Sequence, residues 1–167
     1  MSLTMSLVAG AGAVGSAIAG GVYANFSARI MPRLARLPEA DGITRMQQFN
    51  RVALRPPFMT AFFGAAAASA ATVITTLVRG ERAPGDWLGL VGGACYLGGW
   101  LLTMAYNVPR NVALERAVPG TSEASRAWSA YLREWTAANT VRAGLSVVGA
   151  LLLGAAAVAG LAQPSES

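Results

Sequence analysis

Histidine and lysine are both absent from the 167 residues, and the chain has one cysteine, Cys95. Without His the chain lacks the commonest protein ligand of metal ions and haem and the usual general base. A lone Cys excludes an intramolecular disulfide and a CxxC redox pair. We therefore expect no cofactor and no metal centre, although a carboxylate-only metal site stays open.

Charge is also scarce, at 13% of residues against 54% that are apolar, which is about half the charged fraction of a soluble domain. The charges are confined to three blocks, residues 29–55, 79–86 and 110–142, and to Glu166. Each of the four charge-free stretches between them exceeds the roughly 20 residues that a helix needs to cross a bilayer. The sequence thus predicts an all-α integral membrane four-helix bundle, as a single domain over residues 1–167 with spans at about 5–28, 57–78, 87–108 and 140–162.

The first stretch contains Ala17-Ile18-Ala19, which has the small-x-small form of a signal cleavage point. It lacks the basic region that precedes a secretory signal. Its Gly12, Ser16 and Gly20 follow a fourfold spacing like the small residues of the other spans, which indicates close helix packing. We expect a first membrane helix, and a homo-oligomer that uses such small residues stays open.

Arginine placement predicts the orientation. All basic residues except Arg79 and Arg82 fall in the first and third blocks, which an even number of spans puts on one side. By the positive-inside rule the two longer helical connections lie in the cytoplasm and both termini lie outside, as expected for the plasma membrane of a prokaryote. The high pI of about 10.3 is then explained by basic residues at the surface of a lipid bilayer, which is the expected partner. We expect no nucleic-acid partner.

Two amides stand out in the first connection. Asp41 is a candidate N-cap for a helix over residues 43–55, and Gln47 and Asn50 fall on its apolar face. A buried amide needs partners. These two side chains either cap neighbouring helix ends or point into a polar pocket.

The third span ends at Pro109, which removes a backbone donor and kinks or stops the helix. Asn107 and Asn111 lie four residues apart across this break. They either satisfy the exposed carbonyls of the kink or converge on a ligand at the membrane boundary.

The last connection predicts one long helix, because Thr121 or Ser122 can cap it and no breaker follows before Gly144. Helical spacing places five side chains on one stripe of this helix. They either line a pocket or form an interfacial aromatic belt with a snorkelling arginine. The five are Trp128, Tyr131, Trp135, Asn139 and Arg142.

These motifs together resemble the small four-helix membrane family that includes the anthrone oxygenases of aromatic polyketide pathways. Arg110 departs from the family pattern, where an apolar residue is more usual, and we expect it to alter the pocket rim. The similar residues run along nearly the whole chain: Gly21 leading to Met31-Pro32, Met46-Gln47 with Asn50, Asn107-x-Pro109-x-Asn111, and Trp128 and Trp135 followed by Asn139 and Arg142.

The resemblance implies a cofactor-independent oxygenase that converts an anthrone or similar electron-rich aromatic into a quinone with molecular oxygen. In it Arg142, Asn139, Asn107 and Asn111 would stabilise the oxyanion, and a second set would bind the hydrophobic aromatic substrate. That set is Trp128, Tyr131, Trp135, Gln47 and Asn50. The general base stays unassigned among Glu115, Glu134, Tyr131 and water.

A different class fits the same features: a non-catalytic membrane protein that binds a lipid or hydrophobic metabolite, or a small subunit of a membrane assembly. A proton-coupled transporter is disfavoured, because it requires an ionisable group inside the membrane. The four charge-free stretches contain none.

Overall fold

The computed structural model describes residues 2–79 and 85–162, so Arg82 of the short second loop and Glu166 of the tail lie outside the described residues. All regular structure in the described part is helical, which confirms the predicted fold class. The elements are α1 (Leu3–Asn25), a first π turn (Phe26–Ile30), α2 (Met31–Leu34), α3 (Glu39–Ala53), α4 (Phe58–Val78), α5 (Asp86–Leu102), a second π turn (Thr103–Asn107), α6 (Val108–Arg116) and α7 (Ser122–Leu161).

Within the described residues, four helices are long and apolar enough to cross a membrane, as predicted. They are α1 continued through α2, α4, α5 continued through α6, and α7. Helix α1 packs against α7 and α4, and α5 packs against the same two helices. The bundle is therefore a square in which α1 and α5 occupy diagonal corners.

The helices approach one another at small residues. A Cβ atom added to Gly92 of α5 would lie 2.8 Å from the backbone nitrogen of Leu153 of α7. One added to Gly15 of α1 would lie 2.6 Å from the Cβ of Ala65 of α4. Close backbone contact of this kind gives many van der Waals contacts, which help to hold helices together in lipid.

Both interrupted spans contain a π turn two residues before a proline, Pro32 in one and Pro109 in the other. The residue that follows each π turn donates its N–H to the carbonyl five residues back. A widened turn accommodates the missing donor and the ring of the proline. The helix consequently continues past Pro109, where the sequence predicted a kink or a stop.

The predicted start of the third helix was wrong. Helix α3 begins at Glu39 after Pro38, not at Ile43 after an N-cap at Asp41. Proline has a fixed φ and no N–H to lose, so it suits the start of a helix. Acidic side chains in the first turn, here Glu39 and Asp41, interact favourably with the helix dipole.

The prediction of a long last helix is confirmed. Thr121 is its N-cap, and the hydroxyl accepts a hydrogen bond of 3.2 Å from the N–H of Ala124. Helix α7 then runs from Ser122 to Leu161 without a break. One rigid element therefore joins the long connection to the membrane-spanning bundle.

Replacement of Gly92 by alanine should lower the stability of the bundle by about 1–3 kcal/mol, because the methyl group would meet the backbone of α7. Gly144→Ala is the matched control, since a Cβ there meets nothing within 4 Å. The measurement is the midpoint of thermal unfolding in detergent micelles. Equal midpoints for the two variants would contradict the close α5–α7 contact.

Candidate active site

The site is built around Arg142, whose side chain is 4% exposed within the fourth span. One terminal nitrogen of its guanidinium donates to the hydroxyl of Thr103 at 3.0 Å, and the other donates to the Oδ1 of Asn139 at 2.6 Å. The guanidinium lies 4.1 Å from the ring centroid of Tyr23, a cation–π contact. Its Nε has no acceptor in the described part of the chain.

Arg142 is not paired with any carboxylate of the described residues. The ion pairs within the described ranges join Arg51 to Glu115 at 2.9 Å and Arg110 to Glu134 at 2.7 Å. Arg142 is instead held by neutral oxygens and an aromatic ring. A full positive charge therefore sits inside the bundle without a counter-ion among residues 2–79 and 85–162.

Asn139 fixes the orientation of this arginine. Its amide nitrogen donates to the carbonyl of Tyr23 and to the hydroxyl of Ser27, both at 2.7 Å. Since both donations use the amide nitrogen, the amide oxygen is left to face Arg142. Asn139 thus joins α7 to the end of α1, next to the first π turn.

A cavity of about 430 Å³ adjoins the guanidinium, which is within the range of small-molecule sites. Most of its lining is apolar and aromatic, and α4 contributes much of it. Leu54 and Phe63 of this lining are 72% and 49% exposed, so the cavity opens toward the outside of the bundle. The lining includes Tyr23, Phe26, Phe58, Met59, Phe62, Thr103, Met104 and Val108.

Five of the predicted site residues lie on this cavity. They come from three separate parts of the chain, the first connection, the region after the second π turn, and the stripe of α7. Their polar groups are three amides, one guanidinium and one indole N–H. The five are Asn50, Asn111, Trp135, Asn139 and Arg142.

Trp128 and Tyr131 lie behind the cavity wall. The rings of Trp128, Tyr131 and Trp135 form a continuous stack, with centroids 5.8 and 5.4 Å apart and interplanar angles of 17° and 13°. Of these three rings, that of Trp135 lines the cavity. Because Trp128 is 2% exposed and Arg142 is buried, the stripe is not an interfacial belt.

Gln47 and Asn107 are bonded to backbone. The amide nitrogen of Gln47 donates to the carbonyls of Leu114 and Ala117, at 2.9 and 3.0 Å, where α6 ends. The amide nitrogen of Asn107 donates to the carbonyl of Trp135 at 3.3 Å. Gln47 caps a helix end, one of the two roles that the sequence left open, and neither side chain lines the cavity.

The candidate bases also lie away from the cavity. Glu115 and Glu134 are in the ion pairs named above, and the Tyr131 hydroxyl donates to the Oδ1 of Asn111 at 2.8 Å. Arg110, expected at the rim, instead lies over the ring of Tyr106, 3.4 Å from its centroid. Among the described residues, no three His, Cys, Asp or Glu side chains could together hold a metal ion.

Sequence reasoning missed Tyr23 and Thr103, which complete the shell around Arg142. Thr103 lies four residues before Asn107 on the same face of the span, a signal that could have identified it. Tyr23 lies in a charge-free stretch of small residues and carries no such signal. The cavity-lining Phe58 and Phe62 likewise look like ordinary membrane-helix residues.

The fold and site define a class: a membrane-type four-helix bundle with an aromatic-lined cavity and a buried arginine. The model of the anthrone oxygenase family matches residues 58–152, more than half of the chain. The chain belongs to that family. The match contains α4 to most of α7, including Asn107, Asn111, Trp135, Asn139 and Arg142. Comparisons with curated proteins and with solved structures found no match.

Gln47→Met should lower the stability of the folded protein by about 1–3 kcal/mol, because two carbonyls at the end of α6 lose their donor. Gln48→Met, one residue further on an exposed face, is the control and should change little. Thermal unfolding in micelles measures both. Reduced ligand affinity with unchanged stability would instead place Gln47 in the binding site.

Proposed function

We propose that the protein is a membrane-embedded, cofactor-independent oxygenase that converts an anthrone or a similar electron-rich hydroxylated aromatic into a quinone with molecular oxygen. Membership of the anthrone oxygenase family supports the reaction class. The observation that carries the proposal is the position of Arg142 and Asn139 on an aromatic-lined cavity.

The cavity suits a flat apolar ring system. Tyr131 stacks on one face of Trp135, which makes the indole a rigid wall. On the α4 side, the rings of Phe58 and Phe62 are stacked with centroids 6.1 Å apart. Aromatic surfaces of this kind favour offset or edge contacts with the rings of a ligand.

The polar groups suit a developing oxyanion. Removal of a proton from the ring carbon opposite the anthrone carbonyl gives a carbanion, whose charge is delocalised onto the carbonyl oxygen as an enolate. Arg142 could donate charge-assisted hydrogen bonds to that oxygen, and Asn50 and Asn111 could donate neutral ones. Fixed donors in a site of low polarity stabilise charge more strongly than water does.

The atoms and electrons of the reaction balance without a further reagent. The carbanion transfers an electron to oxygen, and a carbon–oxygen bond forms to give a hydroperoxide after one proton is taken up. Loss of the second proton from the same carbon breaks the oxygen–oxygen bond, forms the quinone carbonyl and releases water. One oxygen molecule is consumed and one water is produced per quinone.

The proposed substrate and oxygen are both apolar and would reach the cavity from lipid, on the side where Leu54 and Phe63 are exposed. The Arg-rich connections would face the cytoplasm and the termini the outside. A plasma membrane of a prokaryote is the proposed location.

Arg142→Gln should lower quinone formation from an anthrone by about 10²–10³-fold, the usual effect of losing an oxyanion donor. Arg133→Gln, on an exposed face of the same helix, is the matched control and should leave the rate unchanged. Purified protein in detergent would be assayed for quinone absorbance and oxygen uptake above the spontaneous rate.

Equal rates for wild type and Arg142→Gln would remove Arg142 from the reaction. If wild-type protein accelerates no anthrone or phenol in a panel, the oxygenase proposal fails. A non-catalytic protein that binds a hydrophobic metabolite in the same cavity would then explain the site.

A further inference from the structure

The cavity has no carboxylate side chain among the described residues that line it. Its polar lining consists of Tyr23, Asn50, Thr103, Asn111 and the indole of Trp135, with Asn139 and Arg142. The ion-paired Glu115 and Glu134 lie elsewhere, and their side chains are 39% and 45% exposed. A substrate proton must therefore leave by a route other than a carboxylate in the pocket.

The charge of Arg142 is uncompensated from every side that packs on it. Helix α1 presents the phenol of Tyr23, and the second π turn presents the hydroxyl of Thr103. Its own helix presents Asn139 and, about two turns before Asn139, Tyr131. Helix α4 contributes phenylalanines to the cavity. All these groups are neutral unless a phenol ionises.

A buried cation held by neutral groups attracts an anion strongly, because little water screens the pair. Arg142 lines the cavity, and its Nε has no acceptor in the described part of the protein. An anionic oxygen in the cavity would supply the missing counter-charge.

We infer that the cavity binds its ligand as an anion, the conjugate base of a weakly acidic hydroxyaromatic or its enol, with Arg142 as the counter-ion and no protein side chain as the base. The choice of a hydroxyaromatic rests on the proposed function. Binding then drives the ionisation: the acid loses one proton to water, and the anion stays with Arg142. By linkage, the ratio of the affinity for the anion to the affinity for the neutral acid equals the factor by which binding raises the ligand's acid dissociation constant.

Ionisation on binding is the step for which the sequence left the general base unassigned among Glu115, Glu134, Tyr131 and water. In the proposed oxidation the proton released on binding is regained when the hydroperoxide forms, so the overall reaction releases none. The protein acts on the equilibrium between the acid and its anion, and the substrate supplies the electrons. Arg142 would be a catalytic residue because it touches the ionised oxygen.

The test uses a hydroxyanthraquinone dye, which is already oxidised at the reacting carbons and changes colour when its hydroxyl ionises. Absorbance of the dye is titrated against pH with wild-type protein in an uncharged detergent and with the same micelles alone. We expect the apparent pKa of the dye to fall by at least about one unit on binding, a tenfold change in ionisation. Binding below that pKa should release about one proton, as measured by calorimetry in buffers of different ionisation enthalpy.

The Arg142→Gln variant should bind the neutral dye, and the apparent pKa of the dye with this variant should equal that in micelles without protein. Arg142→Lys keeps the charge and should keep part of the shift, which provides a second variant if glutamine prevents folding. Arg133→Gln, Glu115→Gln and Glu134→Gln are controls and should titrate like wild type.

The inference is overturned if the dye does not bind, if it binds with an unshifted titration, or if Arg142→Gln retains the shift. Loss of the shift in either glutamate variant would also overturn it, since a carboxylate would then be involved. The dye experiment requires no oxygen, so the two proposals fail separately. If the apparent pKa of the dye shifts but no anthrone yields quinone, the oxygenase proposal alone is rejected. If quinone forms but the pKa of the dye does not shift, the anion-binding proposal alone is rejected.

Discussion

The burial of one guanidinium group inside a membrane-type bundle is the constraint on which the rest of this structure depends. A charged side chain within a span costs several kcal/mol unless other groups replace water around it. The fold supplies those groups from three elements: Thr103 of the second π turn, Asn139 of α7 and the ring of Tyr23 of α1. The charge therefore fixes how these elements are placed relative to one another.

The π turns contribute to this arrangement. Each precedes a proline, and each contains a residue that bonds to Arg142 or to its partner Asn139, Thr103 in the second turn and Ser27 in the first. An extra residue in a turn rotates the following side chains relative to an unbroken α-helix. A π turn also interrupts the regular backbone hydrogen bonds of the helix. The amide of Asn139 donates to the carbonyl of Tyr23, just before the first π turn. One amide thus supports both the backbone there and the orientation of the arginine.

The four spans could be predicted because lipid excludes charge, and a long charge-free stretch records that exclusion directly in the sequence. The stripe on α7 could be predicted because helical periodicity is local. Which residues of the stripe reach the cavity could not be predicted. Trp128 and Trp135 share a face of α7, but the long connections pack over Trp128 and leave Trp135 on the cavity. Tyr23 was missed because its role arises from contact with a helix more than a hundred residues later.

The identity of the groups around Arg142 also explains why the site can serve a ligand. A carboxylate beside the guanidinium would neutralise it and would lower the cost of its burial. It would also occupy the position that an anionic ligand needs. Hydroxyl, amide and aromatic groups stabilise the cation more weakly and leave its charge in place. The described fold thus holds the guanidinium in one orientation at the edge of a cavity, which is a preorganised arrangement for stabilising negative charge.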